Sequence, residues 1–327
     1  MLGRHLALVQ LLAALARGAE ASPTARSAAT MQRFAMHRRD ALATALVLPA
    51  TFASTPADAK AAPREIMTTV ALPYPDGKKI EINRRRFTGV GDPKWTYPVK
   101  DVSSIILDKP FPAAWPYDAA DDFRRLDEEP DTKFYRPYQP KLLYHIDEGA
   151  VASLTHYYEK AIKPKSDILD ICSSWVSHYP RNFPSTMASI TGTGINEIEL
   201  AANDQFTAGY KQADLNANPV LPFPDQSFDV VTCVVSFDYL TKPREVMREV
   251  VRVLRPGGKV ILSQSNRCFY TKAVGVWTAD MSDSAHLRVL ATYMHFADGL
   301  ETPKALDISA RGPGTNDPMY IVEATRT

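Results

Sequence analysis

Long apolar runs are missing from residue 61 onward. No stretch there approaches the roughly 20 consecutive apolar residues that a membrane helix needs, so a mature chain that is soluble or peripheral is expected. Cysteine is scarce. Three in 327 residues are too few for a disulfide scaffold and lack the spacing of a zinc site, so no metal is expected. Net charge is nearly absent: 38 Lys and Arg against 37 Asp and Glu leave +1, which argues against a nucleic-acid binder. The 15 glycines include no G-x-G-x-x-G, which disfavours a redox enzyme working on a dinucleotide. No internal repeat is present. What remains is ordinary globular composition, with 45% hydrophobic and 23% charged residues, and this excludes collagen-like, coiled-coil and wholly disordered classes. The length allows one large domain or two modest ones.

The near-zero balance hides an asymmetry. Residues 1–60 hold seven basic residues against three acidic ones, so the rest of the chain is slightly acidic. Within that leader, Arg4 and His5 precede the apolar run Leu6–Ala16, and small residues follow at Ala19-Glu20-Ala21, the pattern of a secretory signal. Ser22–Arg39 is rich in Ser, Ala, Thr and Arg and free of acids, which is transit-peptide composition. Arg38-Arg39, the apolar stretch Ala41–Ala53 and Ala57-Asp58-Ala59 then look like a twin-arginine export signal. Three addresses in series resemble import into a complex algal plastid and onward to the thylakoid lumen. A single plastid transit peptide is the simpler alternative. Three segments are therefore expected: a cleavable leader over 1–60, an extension over 61–146 and a domain over 147–327.

The extension is rich in proline and aromatic residues. Met67–Leu72 and Lys79–Asn83 flank Pro73-Tyr74-Pro75-Asp76-Gly77, which predicts a hairpin. Asp101–Leu107 is expected as a strand. The stretch Phe111–Tyr138 carries seven aromatics among prolines, which disfavour long helices, and is expected to wrap the main domain irregularly. It reads either as a cover for substrate or as a packing extension. From Asp147 the pattern changes. Val151–Ile162 has helical spacing and stops at Pro164. Asp167–Cys172, Ala188–Ile195 and Phe228–Val235 are short, nearly continuous apolar runs of the kind buried on both faces of a parallel sheet. Glu197–Asn203 reads as a short helix. Pro243–Leu254 reads as an amphipathic helix with Val246, Val250, Val253 and Leu254 on one face, opened by Pro243 and stopped by Pro256-Gly257-Gly258. Lys259–Ser263, the helix His286–Ala297, and the strands Ala305–Ile308 and Met319–Ala324 complete an α/β pattern with a sheet wound on both faces.

Two segments carry a resemblance. Leu221-Pro222-Phe223-Pro224-Asp225-Gln226-Ser227-Phe228-Asp229-Val230-Val231 and, further on, Glu249-Val250-Val251-Arg252-Val253-Leu254-Arg255-Pro256-Gly257-Gly258-Lys259-Val260 resemble two elements of the class I S-adenosylmethionine-dependent methyltransferases of the type 11 group, in the family's order and at its separation. The stretches Cys172–His178 and Ser265–Phe269 resemble a plant and algal plastid branch of that superfamily. The resemblance covers roughly residues 150–325. It implies a doubly wound, seven-stranded, mostly parallel Rossmann-like sheet whose last strand is antiparallel. The cofactor S-adenosylmethionine would lie in a crevice at the carboxyl ends of the first strands.

The resemblance also assigns roles. Asp170 takes the acidic place at the end of the first strand, before a turn in which Cys172-Ser173-Ser174-Trp175 stand where the family has glycines. Ser173 and Ser174 would hold the cofactor's amino-acid end, unless the fold has lost its cofactor. Asn196, with Glu197 beside it, takes the ribose-binding place. Asn196 also suits a helix N-cap, and both roles can hold at once. Asp214 and Leu215 match the adenine contact, against a plain turn Asp. Ser236 joins the cofactor contacts after the fourth strand. Asp238 is the first candidate for a base and His178 the second, with a helix cap and a structural His as their bland alternatives. Tyr239, Asn266 and Arg267 fall on the acceptor side, where Arg267 either holds an anionic group or makes a surface ion pair. Cys172 and Cys233, on neighbouring strands, are expected as two buried thiols rather than a bridge. The methyl acceptor would be a small molecule or a protein. The competing reading is a non-catalytic scaffold or assembly factor that keeps the fold.

Overall fold

Runs of Ile, Leu and Val too short for helices and apolar on both sides build the centre of one sheet. The computed structural model describes residues 65–71, 79–85, 95–135 and 142–327. The expected leader lies outside the described residues, as do the turn Pro73–Gly77 and Tyr138. The elements in chain order are β1 (Glu65–Ala71), β2 (Lys79–Arg85), β3 (Lys100–Asp101), α1 (Ser103–Leu107), α2 (Asp131–Phe134), α3 (Glu148–Ala161), β4 (Asp167–Ile171), α4 (Phe183–Thr186), β5 (Ser189–Gly194), α5 (Glu197–Ala201), β6 (Tyr210–Gln212), β7 (Phe228–Val234), α6 (Pro243–Val253), β8 (Leu254–Gln264), α7 (Gly275–Ala279), α8 (Asp283–His295), β9 (Lys304–Asp307) and β10 (Tyr320–Thr325). A 3₁₀ turn, Phe237–Tyr239, follows β7. Among the described residues, no helix is long and apolar enough to cross a membrane.

β1 and β2 pair antiparallel as the expected hairpin. The main sheet has the order β3-β9-β10-β8-β7-β4-β5-β6. β6, β5, β4, β7 and β8 run parallel, and β10 is antiparallel to both of its neighbours, β8 and β9. The seven-stranded expectation is met, and β3 from the extension adds an eighth strand on β9. The period-2 alternation sorts the side chains. Ile168, Ile190, Val230, Ile261 and Ile321 face a core shared with α3, through Leu154 and Tyr158. Leu169, Ile171, Val231, Val260, Leu262 and Val322 face a second core with Val246, Val250, Leu287 and Tyr293 of α6 and α8.

Several boundaries move. Asp101–Leu107 is not a strand. Only Asp101, the end of β3, is strand, and a helical turn follows, because the Asp101 carboxylate accepts from the Ser103 N–H at 2.8 Å and turns the chain. The helix expected over Glu197–Asn203 ends at Ala201. Pro256-Gly257-Gly258 does not separate helix from strand. β8 begins at Leu254, and an irregularity in its pairing with β7 absorbs the turn, with Gly257 at φ 77°. The strand β6 had no expectation. It has three residues and lies at the sheet edge, so it shows no apolar run.

The two resembling segments are tied together. The Glu249 carboxylate accepts from the Leu221 N–H at 2.9 Å, and Arg252 donates to the carbonyls of Phe223 (2.9 Å) and Leu221 (3.0 Å) while pairing with Glu249 and Asp225. Their co-occurrence therefore has a structural cause: one helix face holds the loop that leads into β7. Arg255 joins Asp167 and Asp229, both at 2.9 Å, at the amino ends of β4 and β7.

Candidate functional site

The loops that leave the carboxyl ends of β4, β5, β7 and β8 meet on one edge of the sheet. Two of them are strained, at three residues. Cys172 (φ 53°), His178 (φ 60°) and Val235 (φ 39°) hold left-handed backbone without being glycine, and for a β-branched residue such as Val235 this is rare. The approach on the other side is equally tight: a Cβ on Gly194 would lie 2.2 Å from the Ser173 carbonyl oxygen, and the Ser173 N–H donates to Thr193 at 2.8 Å.

Asp170 is buried under this loop. It accepts from the hydroxyls of Ser173 (2.5 Å) and Thr232 (3.1 Å), and Tyr179 bonds Thr232 at 2.6 Å. Burial pushes the carboxyl up to about 6, against these hydrogen bonds and one from Ser177. Asp170 therefore braces the loop from below. Ser174 donates to Glu199 at 2.7 Å. Trp175 turns away into a small cluster with Ala202 and Tyr144, its indole N–H on the Leu143 carbonyl at 3.4 Å, which is how the loop accommodates so large a residue.

Asn196 caps α5, accepting from the N–H groups of Ile198 (3.0 Å) and Glu199 (3.2 Å). Its amide donates to the Glu199 carboxylate (3.3 Å) and to the Tyr135 carbonyl (3.4 Å). Glu197 is half-buried in the first turn of α5, and no hydrogen bond or ion pair of its carboxylate is found among the described residues. Asp214 accepts from the N–H groups of Asn216 (3.0 Å) and Ala217 (3.1 Å), forming an Asx turn, and Leu215 is buried in the α6-side core. Ser236 donates to the Val234 carbonyl at 2.7 Å.

Asp238 is fully buried, and neither carboxyl oxygen has a hydrogen-bond partner among the described residues. Burial holds it well above the usual carboxylate range. Tyr239 accepts from the Phe269 N–H at 2.8 Å, and its ring lies 5.9 Å from that of Phe269. His178 packs on Tyr144, with ring centroids 5.7 Å apart. Burial and nearby His145 hold it down to about 4, and its Nδ1 has no partner among the described residues. Asn266 is exposed. Arg267 is also exposed and pairs with Asp317 at 3.2 Å. All three cysteines are free thiols. Cys172 beside it, together with burial, raises Cys233 well above the usual thiol value.

Sequence reasoning missed four contributors. Glu199 stands three residues after Asn196, a capping-box spacing that was there to be read. Phe134 and Tyr135 come from the extension, and Phe269 follows β8. The rings of Phe134 and His145 both lie 5.2 Å from Phe269. Nothing periodic marks these aromatics.

S-adenosylmethionine, the group that the resemblance implies, asks for acceptors for its ammonium and ribose hydroxyls. Buried at the strand ends, Thr193 Oγ1, Gln264 Oε1 and Ser265 Oγ have no partner among the described residues, and the Glu197 carboxylate is also open. That donor–acceptor set fits the group. Glu197, rather than Asn196, has the spare charge for the ribose.

Comparison with known proteins agrees in kind. Residues 172–262 match the family described as "Methyltransferase domain". A ubiquinone/menaquinone biosynthesis C-methyltransferase of Pseudomonas aeruginosa (strain LESB58) is 30% identical over 174 residues, which is 50% of this chain and 61% of that protein. A ubiquinone biosynthesis O-methyltransferase of Idiomarina loihiensis is 29% identical over 98 residues, 28% of this chain and 40% of that protein. The chain thus spans about half the length of the curated relatives it matches. Among solved structures, a SAM-dependent methyltransferase from Aquifex aeolicus aligns with a TM-score of 0.41 and 13% identity, over 61% of this chain and all of that one. Through its central segment the chain is similar to methyltransferases, and the family pattern implies S-adenosylmethionine as the cofactor.

Proposed function

We propose that this protein transfers a methyl group from S-adenosylmethionine to a neutral, ring-containing acceptor. The observation that carries the reading is Asp238, a fully buried carboxyl at the crevice edge with no partner among the described residues. An orphaned buried acid costs stability, and a proton-accepting role in a closed complex gives it a use. When bound, the cofactor supplies an electrophilic methyl group. Ser173, Ser174 and Glu197 would hold its polar ends. Asp238 takes the proton of an acceptor hydroxyl or acidic C–H, and Tyr239 and Phe269 offer ring faces to it. Neutrality of the acceptor follows from the cations near the crevice. Among the described residues, Lys272 and Arg125 are tied to Asp127 and Asp131, and Arg267 pairs with Asp317. The relatives' names, which concern quinone biosynthesis, agree with a ring.

Calorimetric titration of S-adenosylhomocysteine into the full chain tests the cofactor site, and micromolar binding is expected. Asp238→Asn should keep that affinity and abolish turnover of a ring acceptor. Full activity in that variant would remove Asp238 from the chemistry. A second reading has its own observation. The glycine-less turn and the spent amide of Asn196 favour a scaffold that has kept the fold. A folded protein that produces no heat with S-adenosylhomocysteine would establish it. The leader supports a plastid address, with the lumen reached through Arg38-Arg39. A reporter fused to residues 1–62 should enter the plastid, and Arg38→Lys with Arg39→Lys should hold it in the stroma.

A further inference from the structure

The buried acceptors left open at the strand ends divide by strand. Thr193 lies in β5, which leads to Asn196 and Glu197 at the start of α5. Gln264 ends β8, and Ser265 follows it. The sheet order β8-β7-β4-β5 puts three strand spacings, roughly 14 Å, between the two groups. Ser173, Ser174 and Glu197, which would hold the polar ends of the cofactor, follow β4 and β5. Gln264 and Ser265 stand beyond β7, next to the 3₁₀ turn that carries Asp238. The Val235 N–H donates to the Ser263 carbonyl at 2.9 Å and holds the loop after β7 against the end of β8.

Gln264 is only 2% exposed. Its side-chain nitrogen donates to the Ser265 carbonyl at 2.7 Å. That bond settles which end of the amide is which and draws it toward the carboxyl edge, where Ser265 lies past the strand. Oε1 is left with no partner among the described residues, and so is the hydroxyl of buried Ser265. The period of two places Gln264 on the face of Val260 and Leu262, the side packed on α6 and α8. Asp238 belongs to that side too. Phe237 before it is buried in the same core, and Val274 of that core donates its N–H to the Asp238 carbonyl at 3.0 Å. An apolar residue at 264 would have continued the core at no cost, whereas a buried amide oxygen with nothing to accept is destabilising.

The chemistry of the pair narrows what can sit there. Oε1 of Gln264 can only accept, and Asp238 takes a proton in the reaction proposed above. A ring with one hydroxyl serves one of them and leaves the other unsatisfied. We propose that Gln264 is a specificity-determining residue that accepts a hydrogen bond from a second hydroxyl on the ring of the methyl acceptor, so that the acceptor is a polyhydroxylated ring. The proposal rests on the reading of the crevice given above.

Phenol and the three dihydroxybenzenes, titrated by calorimetry into the full chain saturated with S-adenosylhomocysteine, provide the test. At least one diol is expected to bind about ten-fold more tightly than phenol, the usual return on a buried hydrogen bond that would otherwise go unmade. This comparison needs no variant. Gln264→Met keeps the length of the side chain without the acceptor oxygen. In that variant, checked for folding by circular dichroism, the preference for the diol should vanish, while the affinities for phenol and for S-adenosylhomocysteine stay within about two-fold. Equal binding of phenol and every diol by the wild type would overturn the proposal, as would a preference that survives in folded Gln264→Met. A ten-fold loss of S-adenosylhomocysteine affinity in the variant would also overturn it, by placing Gln264 on the cofactor. A wild type that binds S-adenosylhomocysteine but no diol better than phenol leaves the cofactor reading standing. A folded wild type that does not bind S-adenosylhomocysteine removes that reading and this proposal with it.

Discussion

Two residues of the crevice should reveal their burial through opposite pH dependences. Asp170 titrates near 6 in the fold against 3.8 in the free side chain, so the folded state holds its proton more tightly. Its contribution to stability is present in full below about pH 4 and is lost as pH rises through 6. His178 titrates near 4 against 6.5, so its contribution is present above 6.5 and is lost as pH falls through 4. Each effect is about 3 kcal/mol by the size of the shift. Urea unfolding between pH 4 and 7 should show the wild type losing ground to Asp170→Asn as pH rises, and gaining on His178→Asn, a variant chosen because Asn tolerates the positive φ. A difference that stays flat with pH would deny the burial of the residue concerned. The positions of these residues were legible at the sequence level, because the ends of apolar strands are easy to see. The partners were not. The capping role of Asn196 could be read from its side chain, whereas its bond to Tyr135 joins residues 61 apart with no pattern between them.

At the scale of elements, the strands buried on both faces were legible because Ile, Leu and Val fill them without a break. Two elements were not. β6 is three residues at an edge, and α1 hides behind the β-branched Ile105-Ile106, where the Asp101 side chain rather than the apolar pattern sets the backbone. Pairing of the two family-like segments was legible as co-occurrence, and its cause is the Glu249–Arg252 contact with Leu221 and Phe223. Glu249→Ala leaves the Leu221 N–H without its acceptor and should cost about 2 kcal/mol of stability. A double-mutant cycle with Arg252→Ala, read by thermal or urea unfolding, should give a coupling of about 1 kcal/mol. Additive losses would mean that the two side chains act independently. Neither change touches the carboxyl edge, so S-adenosylhomocysteine affinity should stay within about two-fold of the wild type at temperatures where the variant is folded.

On the scale of the whole molecule, the described part of the extension after residue 95 packs on the sheet and its helices. Trp115 packs edge-on or tilted against Tyr117, Tyr293 and Phe296, and Arg288 donates to the carbonyls of Lys109 and Pro110 at the end of α1 and beyond. Residues 111–123 are thus a packing extension, while 127–135 are held by Lys272 and Asn216. Lys272→Met removes the donor that the Glu129 and Asp127 carbonyls share and one of the two cations beside Asp131, and it should destabilise the protein. Limited proteolysis of that variant should cut first within 127–135, and protection there would mean that these contacts are dispensable. The sheet order has a further consequence, one that concerns synthesis. β10, made last, lies between β8 and β9, and β3, made more than two hundred residues earlier, can dock only on β9. A ribosome that has passed residue 300 still holds a sheet with a gap in it. Until Tyr320–Thr325 emerges and inserts, β9 and β3 have no place on the sheet and the apolar strand edges stay open. Such a chain is a natural client for holding factors, and it can be threaded through a narrow pore for as long as its final strand is withheld.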